Sequence, residues 1–273
     1  MDGDLVARPA AVRHVPRLRC LEVIETVELS PRMRQIVLGG EELDGFVSLA
    51  PDDHVKLFLP PGVDPVLPRP GPDGLAWPQD RPRPVARDYT PRLFDPGRRR
   101  LSIEFALHGD GPATRWAQAA RPGTRIAIGG PRSSRPPADD GAPILLVGDE
   151  TALPAIAETL LRLSPGTPVV ALVEVEDRGE ERALPGATHA SVSWLHRNGA
   201  APGQPERLLA ALRTALPWVV RQQRLSAWVA CEIDTARQLR QVLIEEAGLR
   251  RERIRAAGYW RRGEAGAHQR IDA

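Results

Sequence analysis

Three short stretches of this chain carry the residue types that hold a charged, aromatic ligand. The first is Arg87-Asp88-Tyr89-Thr90-Pro91-Arg92. Arg87 can clamp a phosphate through two parallel N–H bonds. Tyr89 offers a flat ring with a hydroxyl, and Thr90 a second hydroxyl. Alternation along an extended chain puts Arg87 and Tyr89 on one face and Thr90 on the other, unless the chain bends. The same residues also suit a solvated strand edge with an incidental tyrosine. The second stretch is His108-Gly109-Asp110-Gly111-Pro112-Ala113-Thr114. Its glycines allow a tight turn, and Pro112 suits the first position of a helix. A helix start of this kind presents amides and the positive dipole end to an anion such as a pyrophosphate. It is equally an ordinary strand–turn–helix connection. The third is Gly148-Asp149-Glu150-Thr151-Ala152, which follows a continuous apolar run. Open α/β sheets bind nucleotides at such strand ends. Helix capping by Asp149 or Thr151 is the plainer use, and it does not exclude the other.

Other chemistries find little support. The six histidines and two cysteines fall in no metal-ligand spacing, so no protein-held metal is expected. No GxxxxGK(S/T) phosphate loop and no GxSxG elbow is present,. The 37 basic and 35 acidic residues leave a net charge of +2, which argues against nucleic acid as a partner. No apolar run approaches the roughly 20 residues of a membrane span. Residues 1–20 lack the apolar core of a signal peptide. Cys20 and Cys231 are too far apart in sequence to suggest a disulfide framework, so a cytoplasmic location is expected. Lys56 is the one lysine among 36 arginines. By itself it reads as a solvent-facing strand lysine.

The elements that must position these residues change character along the chain. Residues 1–16 read as a disordered leader. From 17 to about 138, "LRCLEVIETVEL", "MRQIVLGG", "HVKLFLP", "GRRRLSIEFALHG" and "TRIAIGGP" are short, partly alternating strands,. They predict a small antiparallel barrel. Residues 60–86 are too rich in Pro for a central strand or helix and predict a long loop. After residue 138 strands and helices alternate, from "ILLVGDE" and "TALPAIAETLLRL" to a last strand near "RIRAAGYW". That predicts a doubly wound parallel α/β domain over 139–263, with a tail over 264–273. The fold class is thus an antiparallel β-barrel followed by an α/β domain.

In order, "RDYTPR", "LHGDGPATRWA", "GGPR", "LLVGDETALPAI", "VACE" and "GYWRRG" make the chain resemble the siderophore-interacting proteins, FAD-dependent ferric-siderophore reductases of the ferredoxin-reductase-like superfamily. The resemblance runs from about residue 16 to 263. It implies FAD as cofactor, bound between the barrel and the α/β domain, and NAD(P)H as co-substrate, with ferredoxin as another candidate donor. It implies that Arg87 holds the FAD phosphates, Tyr89 packs on the flavin or ribityl, and Thr90 bonds near the reactive edge. Asp88 belongs to the same motif. His108 and the turn Gly111, Pro112, Ala113 and Thr114 would take the pyrophosphate and adenine side. Asp149, Thr151 and Ala152 would lie by the flavin and the nicotinamide entry, with Tyr259 and Trp260 closing over the cofactor. Lys56, Arg132 and Arg255 match the basic positions that face a ferric siderophore. No residue is expected to be catalytic in its own right, because the cofactor carries the chemistry. Arg178 and Arg197 are both candidates for a 2′-phosphate.

Two departures from the family pattern stand out. Ser133 replaces the Gly of "GPRGS", where a glycine-only backbone would be strained. Cys231 replaces the Gly of "AGE", where it would either crowd the dinucleotide or be a small buried residue. They motivate an alternative, a flavin-dependent oxidoreductase or electron donor in a biosynthetic pathway. A chelate carrier that has lost flavin is a third reading.

Overall fold

β-Branched and aromatic residues alternate with polar ones through the first half of the chain, and a computed structural model forms antiparallel strands there. It describes residues 10–60, 66, 68–71, 74–136, 140–264, 266 and 269–271. The chain divides into two units, Met1–Ala138 and Asp139–Ala273. The expected boundary near residue 138 falls on residues 137–139, outside the described ones.

In the first unit the strands are β1 (Val12–Arg13), β2 (Leu18–Ser30), β3 (Met33–Gly39), β4 (Val55–Leu59), β5 (Arg69–Gly71), β6 (Gly74–Ala76), β7 (Val85–Tyr89), β8 (Leu93–Asp95), β9 (Arg100–Ala106), β10 (Arg125–Gly129) and β11 (Ser133–Ser134). One helix, α1 (Pro112–Ala119), lies between β9 and β10. Seven strands pair antiparallel in the order β7-β4-β10-β2-β3-β9-β8. The inward residues of β2, β3, β4, β9 and β10 form one core, including Val23, Ile36, Leu57, Ile103 and Ile126. Tyr89 from one edge strand and Phe94 from the other pack on that same core. Both edges reach one interior only if the sheet curls, which is the barrel the alternation predicts.

The second unit has strands β12 (Ile144–Gly148), β13 (Val169–Val175), β14 (Ala190–His196), β15 (Ser226–Glu232), β16 (Ile254–Trp260) and β17 (Gln269–Arg270). Its helices are α2 (Leu153–Arg162), α3 (Pro205–Val219) and α4 (Ile233–Glu245). The sheet order is β14-β13-β12-β15-β16-β17. The first five strands are parallel. The order reverses between β12 and β15, so the carboxyl ends of these two strands flank the switch point. There Gly148 faces Ala230 in register. A Cβ on Gly148 would lie 2.4 Å from Ala152 Cβ and 2.7 Å from the Ala230 carbonyl oxygen, so only glycine fits,. Among the described residues no helix is long and apolar enough to cross a membrane.

Three expectations about irregular segments change. Of the leader, residues 1–9 lie outside the described residues, but Val12 and Arg13 pair antiparallel with Ser134 and Ser133. Within the Pro-rich stretch, β5 and β6 form a short hairpin. In the tail, β17 adds an antiparallel edge to β16. All three are two- or three-residue strands, too short to show an alternation in sequence.

Candidate functional site

On the barrel, β7 is an edge strand, and the sequence-predicted residues leave it in two directions. Tyr89 is half-buried on the core side, its ring 4.4 Å from that of Phe105 and tilted by 38°. Phe105 in turn packs on Trp116 of α1 at 5.6 Å. Burial pushes the Tyr89 hydroxyl above its ordinary range, partly offset by the Arg87 charge,. Arg87 shares this face by alternation. Its Nη1 donates to the Ala86 carbonyl at 2.8 Å. Thr90, just past the strand, is buried. Arg92, to which the sequence assigned no role, is also buried, and its Nε lies 3.3 Å from Glu104.

Asp88, grouped by sequence with the cofactor residues, turns the other way. It stands directly opposite Lys56 across β4 and β7. Lys56 Nζ donates to Asp88 Oδ1 at 2.6 Å. This direction follows from the pleat, since neighbours along a strand point to opposite faces.

The strand β9 ends in the predicted turn. His108 is exposed, and its carbonyl accepts from Thr114 Oγ1 at 3.0 Å. Gly109 has φ +54°. Gly111 precedes α1, Pro112 opens it, and no side chain caps it. A Cβ on Gly109 or Gly111 would meet nothing within 4 Å. The turn is therefore open on its outer side. These residues fit a flavin dinucleotide: an aromatic ring beside hydroxyls on one strand, a guanidinium, and an uncapped helix start for a diphosphate.

Arg132 is exposed, and its carbonyl accepts from the His14 amide at 2.9 Å. The neighbouring backbone is tied down. Ser134 Oγ donates to Asp53 Oδ2 at 2.5 Å and lies 2.7 Å from His14 Nε2. Asp53 Oδ2 also accepts from the amides of Leu49 and Ala50. Ser133 pairs with Arg13 in β11. It is not among the non-glycine residues with positive φ, which are Arg99 and Asn198. The strain expected from losing a glycine there does not arise.

In the second unit, Asp149 ends the central strand and is buried. Its Oδ1 accepts from the Thr151 amide at 2.9 Å and from Thr151 Oγ1 at 2.5 Å. Its Oδ2 accepts from the Trp260 indole Nε1 at 2.8 Å. Neither Asp149 nor Thr151 caps α2, which starts after the buried Ala152 with no side-chain cap. Burial, reinforced by the Glu150 charge, pushes Asp149 up to about 6, against the hydrogen bonds that favour its anion,. Tyr259 packs edge-on against Trp228, ring centres 6.1 Å apart. Arg255 does not join this end. It is the second residue of β16, about 16 Å along the strand from Trp260. Cys231 is buried in the core, as one of its two sequence readings held. Burial raises its thiol well above the ordinary range.

The sequence reading missed a charge cluster beside Asp149. Arg197, a candidate for a 2′-phosphate, is only 4% exposed. Its Nη1 donates to Glu150 Oε2 at 2.9 Å, and its Nη2 bonds Glu150 Oε1. Glu174 Oε1 lies 3.4 Å away and Glu176 Oε2 3.3 Å away. Both terminal nitrogens of Arg197, one of the two candidates for a 2′-phosphate, are thus engaged by carboxylates. Burial drives Glu174 up to about 7, with Arg197 pulling the other way. The signal was legible in "VALVEVE": two carboxylates in an apolar buried strand require a cation. A cavity of about 220 Å³ lined by Leu160, Leu163, Pro165, Val169 and Ala190 lies at the opposite, amino ends of β13 and β14.

Known proteins match this chain along nearly its whole length. The family model described as a siderophore-interacting FAD-binding domain matches residues 22–135. That described as siderophore-interacting protein matches residues 142–263. The NADPH-dependent ferric-chelate reductase of Escherichia coli is 36% identical over 92% of this chain and 96% of its own length. The ferric vibriobactin reductase of Vibrio cholerae is 30% identical over 92% of each. The crystal structure of a siderophore utilization protein from T. fusca is 37% identical. It covers 94% of this chain and 98% of its own, with a TM-score of 0.82.

Proposed function

The chain belongs to the siderophore-interacting protein family, and on that premise we propose that it is an FAD-dependent reductase of ferric siderophores that draws electrons from NAD(P)H. The observation that carries the proposal is the edge strand β7 beside the open turn of α1. Tyr89 of that strand and Ala113 and Trp116 of α1 pack on the same barrel core, and α1 starts with no side-chain cap. Bound FAD supplies the step between a two-electron hydride donor and the one-electron reduction of Fe(III).

The chain's own residues bind and orient. Arg87 and the turn from Gly111 to Thr114 hold the diphosphate, with His108 at the adenine side. Tyr89, backed by Phe105, fixes the plane of the flavin ring, and Thr90 bonds its reactive edge. The strand end at Asp149, Thr151 and Ala152, with Tyr259 and Trp260, receives the flavin edge and the nicotinamide. Residues 17–138 thus serve as the FAD-binding domain and 139–263 as the NAD(P)H domain. Lys56 and Arg132 attract the ferric chelate. Reduction to Fe(II) weakens the hold of hard oxygen donors on the iron and releases it. Two free cysteines distant in sequence suit a reducing cytoplasm,.

The alternative role in a biosynthetic pathway rested on Ser133 and Cys231, and both have ordinary structural explanations. The test is anaerobic stopped-flow with the FAD-loaded protein. NADH, NADPH and reduced ferredoxin are compared as donors, and a panel of ferric chelates as acceptors. We expect rapid flavin bleaching by a nicotinamide and rapid reoxidation by ferric siderophores. A protein that takes up no FAD, or whose reduced flavin ignores every chelate, overturns the proposal.

A further inference from the structure

The lone lysine of the chain is not an isolated cation. Lys56 and Asp88 are directly opposed across β4 and β7. Their side chains meet at 2.6 Å while remaining 41% and 18% exposed. Residues opposed in this way share one face of the sheet. Phe58, two residues along from Lys56, lies on that face too and packs on Trp77 at 5.2 Å. Tyr89 lies on the other face, against the barrel core. Asp88 therefore acts on Lys56 without sharing the face of Arg87 and Tyr89.

Asp88 offsets one of the positive charges on that side of the barrel. β10 brings Gly129 opposite Lys56, and Arg132 follows three residues later with its side chain exposed. Arg83 lies over the Trp77 ring at 5.3 Å, so summing Lys56, Arg83, Arg132 and Asp88 gives two positive charges in place of the three that the cations alone would offer. A carboxylate in contact with an ammonium cancels its field beyond a few ångströms, and a ligand anion must compete with it.

The geometry points to Asp88 as a specificity-determining residue that sets the charge of the preferred acceptor. By holding Lys56, Asp88 disfavours multiply anionic tris-catecholate chelates relative to uncharged tris-hydroxamate chelates. This rests on the reading of Lys56 as a chelate-binding residue given above. Specificity here is a difference of affinities, and the carboxylate supplies the repulsive element.

The experiment uses the FAD-loaded protein and redox-inert gallium(III) chelates, one tris-catecholate and one tris-hydroxamate, with Kd read by titration. Asp88→Asn should tighten the catecholate about fivefold and the hydroxamate much less. Asp88→Glu should keep the original preference. The gain should shrink in about 0.5 M salt. It should also be smaller in a Lys56→Met background, because only the repulsion is then removed and no lysine is freed. Equal shifts for both chelates, or a gain undiminished by Lys56→Met, would overturn the inference. Gallium discrimination without ferric reduction would leave the inference standing and sink the reductase reading. Failure to bind either chelate would sink both.

Discussion

The two units treat buried charge in opposite ways. Among the described residues the barrel buries Arg19 and Arg92 with Asp53 and Glu104, an even balance. Among the described residues the α/β unit buries six carboxylates, Asp149, Glu158, Glu174, Glu176, Glu180 and Glu232, with Arg197 as the one buried cation. Among the described residues the barrel's remaining cations, including Arg87, Lys56 and Arg132, stay at least partly exposed. In the α/β unit the excess is on the acidic side, and the sheet end stays folded because one guanidinium serves several carboxylates and two of those carboxyls hold their protons more tightly. Charge in the barrel is offered outward. Charge at the end of the parallel sheet is spent on internal order.

The sharpest way to break this comparison is to remove Arg197. Arg197→Met strips the cation from Glu150, Glu174 and Glu176 together. Removing one partner of a buried pair costs about 3–5 kcal/mol, and this site lies at the upper end because several carboxylates are left bare. The matched variant in the barrel, Arg92→Met, should cost less, since among the described residues the barrel buries two carboxylates, and Arg92 pairs with one of them, Glu104. Urea unfolding of both variants decides the matter. Equal losses would show that the two units do not differ in this respect.

The next effect is on ligand, not on stability. Arg87→Ala should weaken FAD by roughly 10- to 100-fold, the range for losing charge-assisted bonds to a phosphate, while the urea midpoint barely moves. Flavin retained after gel filtration reads the first, and circular dichroism the second. An apoprotein that is also unfolded would place Arg87 with the structural charges and erase the contrast with Arg197.

How much of this was legible in sequence depends on the range of the interaction. The strands of the barrel, the Gly-Pro helix start at Gly111-Pro112 and the strand–helix alternation after residue 143 are local patterns, and the chain wrote them plainly. The Arg87–Tyr89 face followed from alternation alone. The pairs that reassign residues are long-range. Lys56 meets Asp88 across 32 positions and Arg197 meets Glu150 across 47. Only strand register brings such residues together, and register is not a property of either segment. Hence Asp88 was grouped with its neighbours in sequence instead of its neighbour in space. Arg197 was one of two candidates for a 2′-phosphate, and the carboxylates that engage it lie in or just past two other strands, β12 and β13.

A smaller effect tests the acidic excess through pH. Glu174 titrates at about 7 in the folded protein against an ordinary 4.5. The folded state thus binds more protons than the unfolded one across that window, so stability falls as pH climbs from about 4.5 to about 7. Glu174→Gln should flatten the slope and stabilise the α/β unit more at about pH 8 than at about pH 5, relative to the parent. Asp149, raised from 3.8 to about 6, leaves a residual slope in the lower part of the window. Denaturant midpoints across that range would read this, and an unchanged slope would mean that Glu174 is already ionised at low pH.

The smallest effect lets each unit report on itself. Cys20 is on a barrel strand and half-exposed, with Arg125 Nη2 3.2 Å from its sulfur. Cys231 is only 1% exposed in the α/β core, with its thiol pushed well up by burial and by Asp149 and Glu232. The thiolate is the reactive form, so a small alkylating agent should modify Cys20 in the native protein and spare Cys231 until the α/β unit opens. Cys231 labelling should then accelerate in Arg197→Met but not in Arg92→Met, whereas Cys20 labelling should be little changed by Arg197→Met. Mass spectrometry of the two peptides over time gives both rates from one sample. If Cys231 labels as fast as Cys20 in the parent protein, the sheet end is not the closed, internally satisfied region that its carboxylate cluster implies.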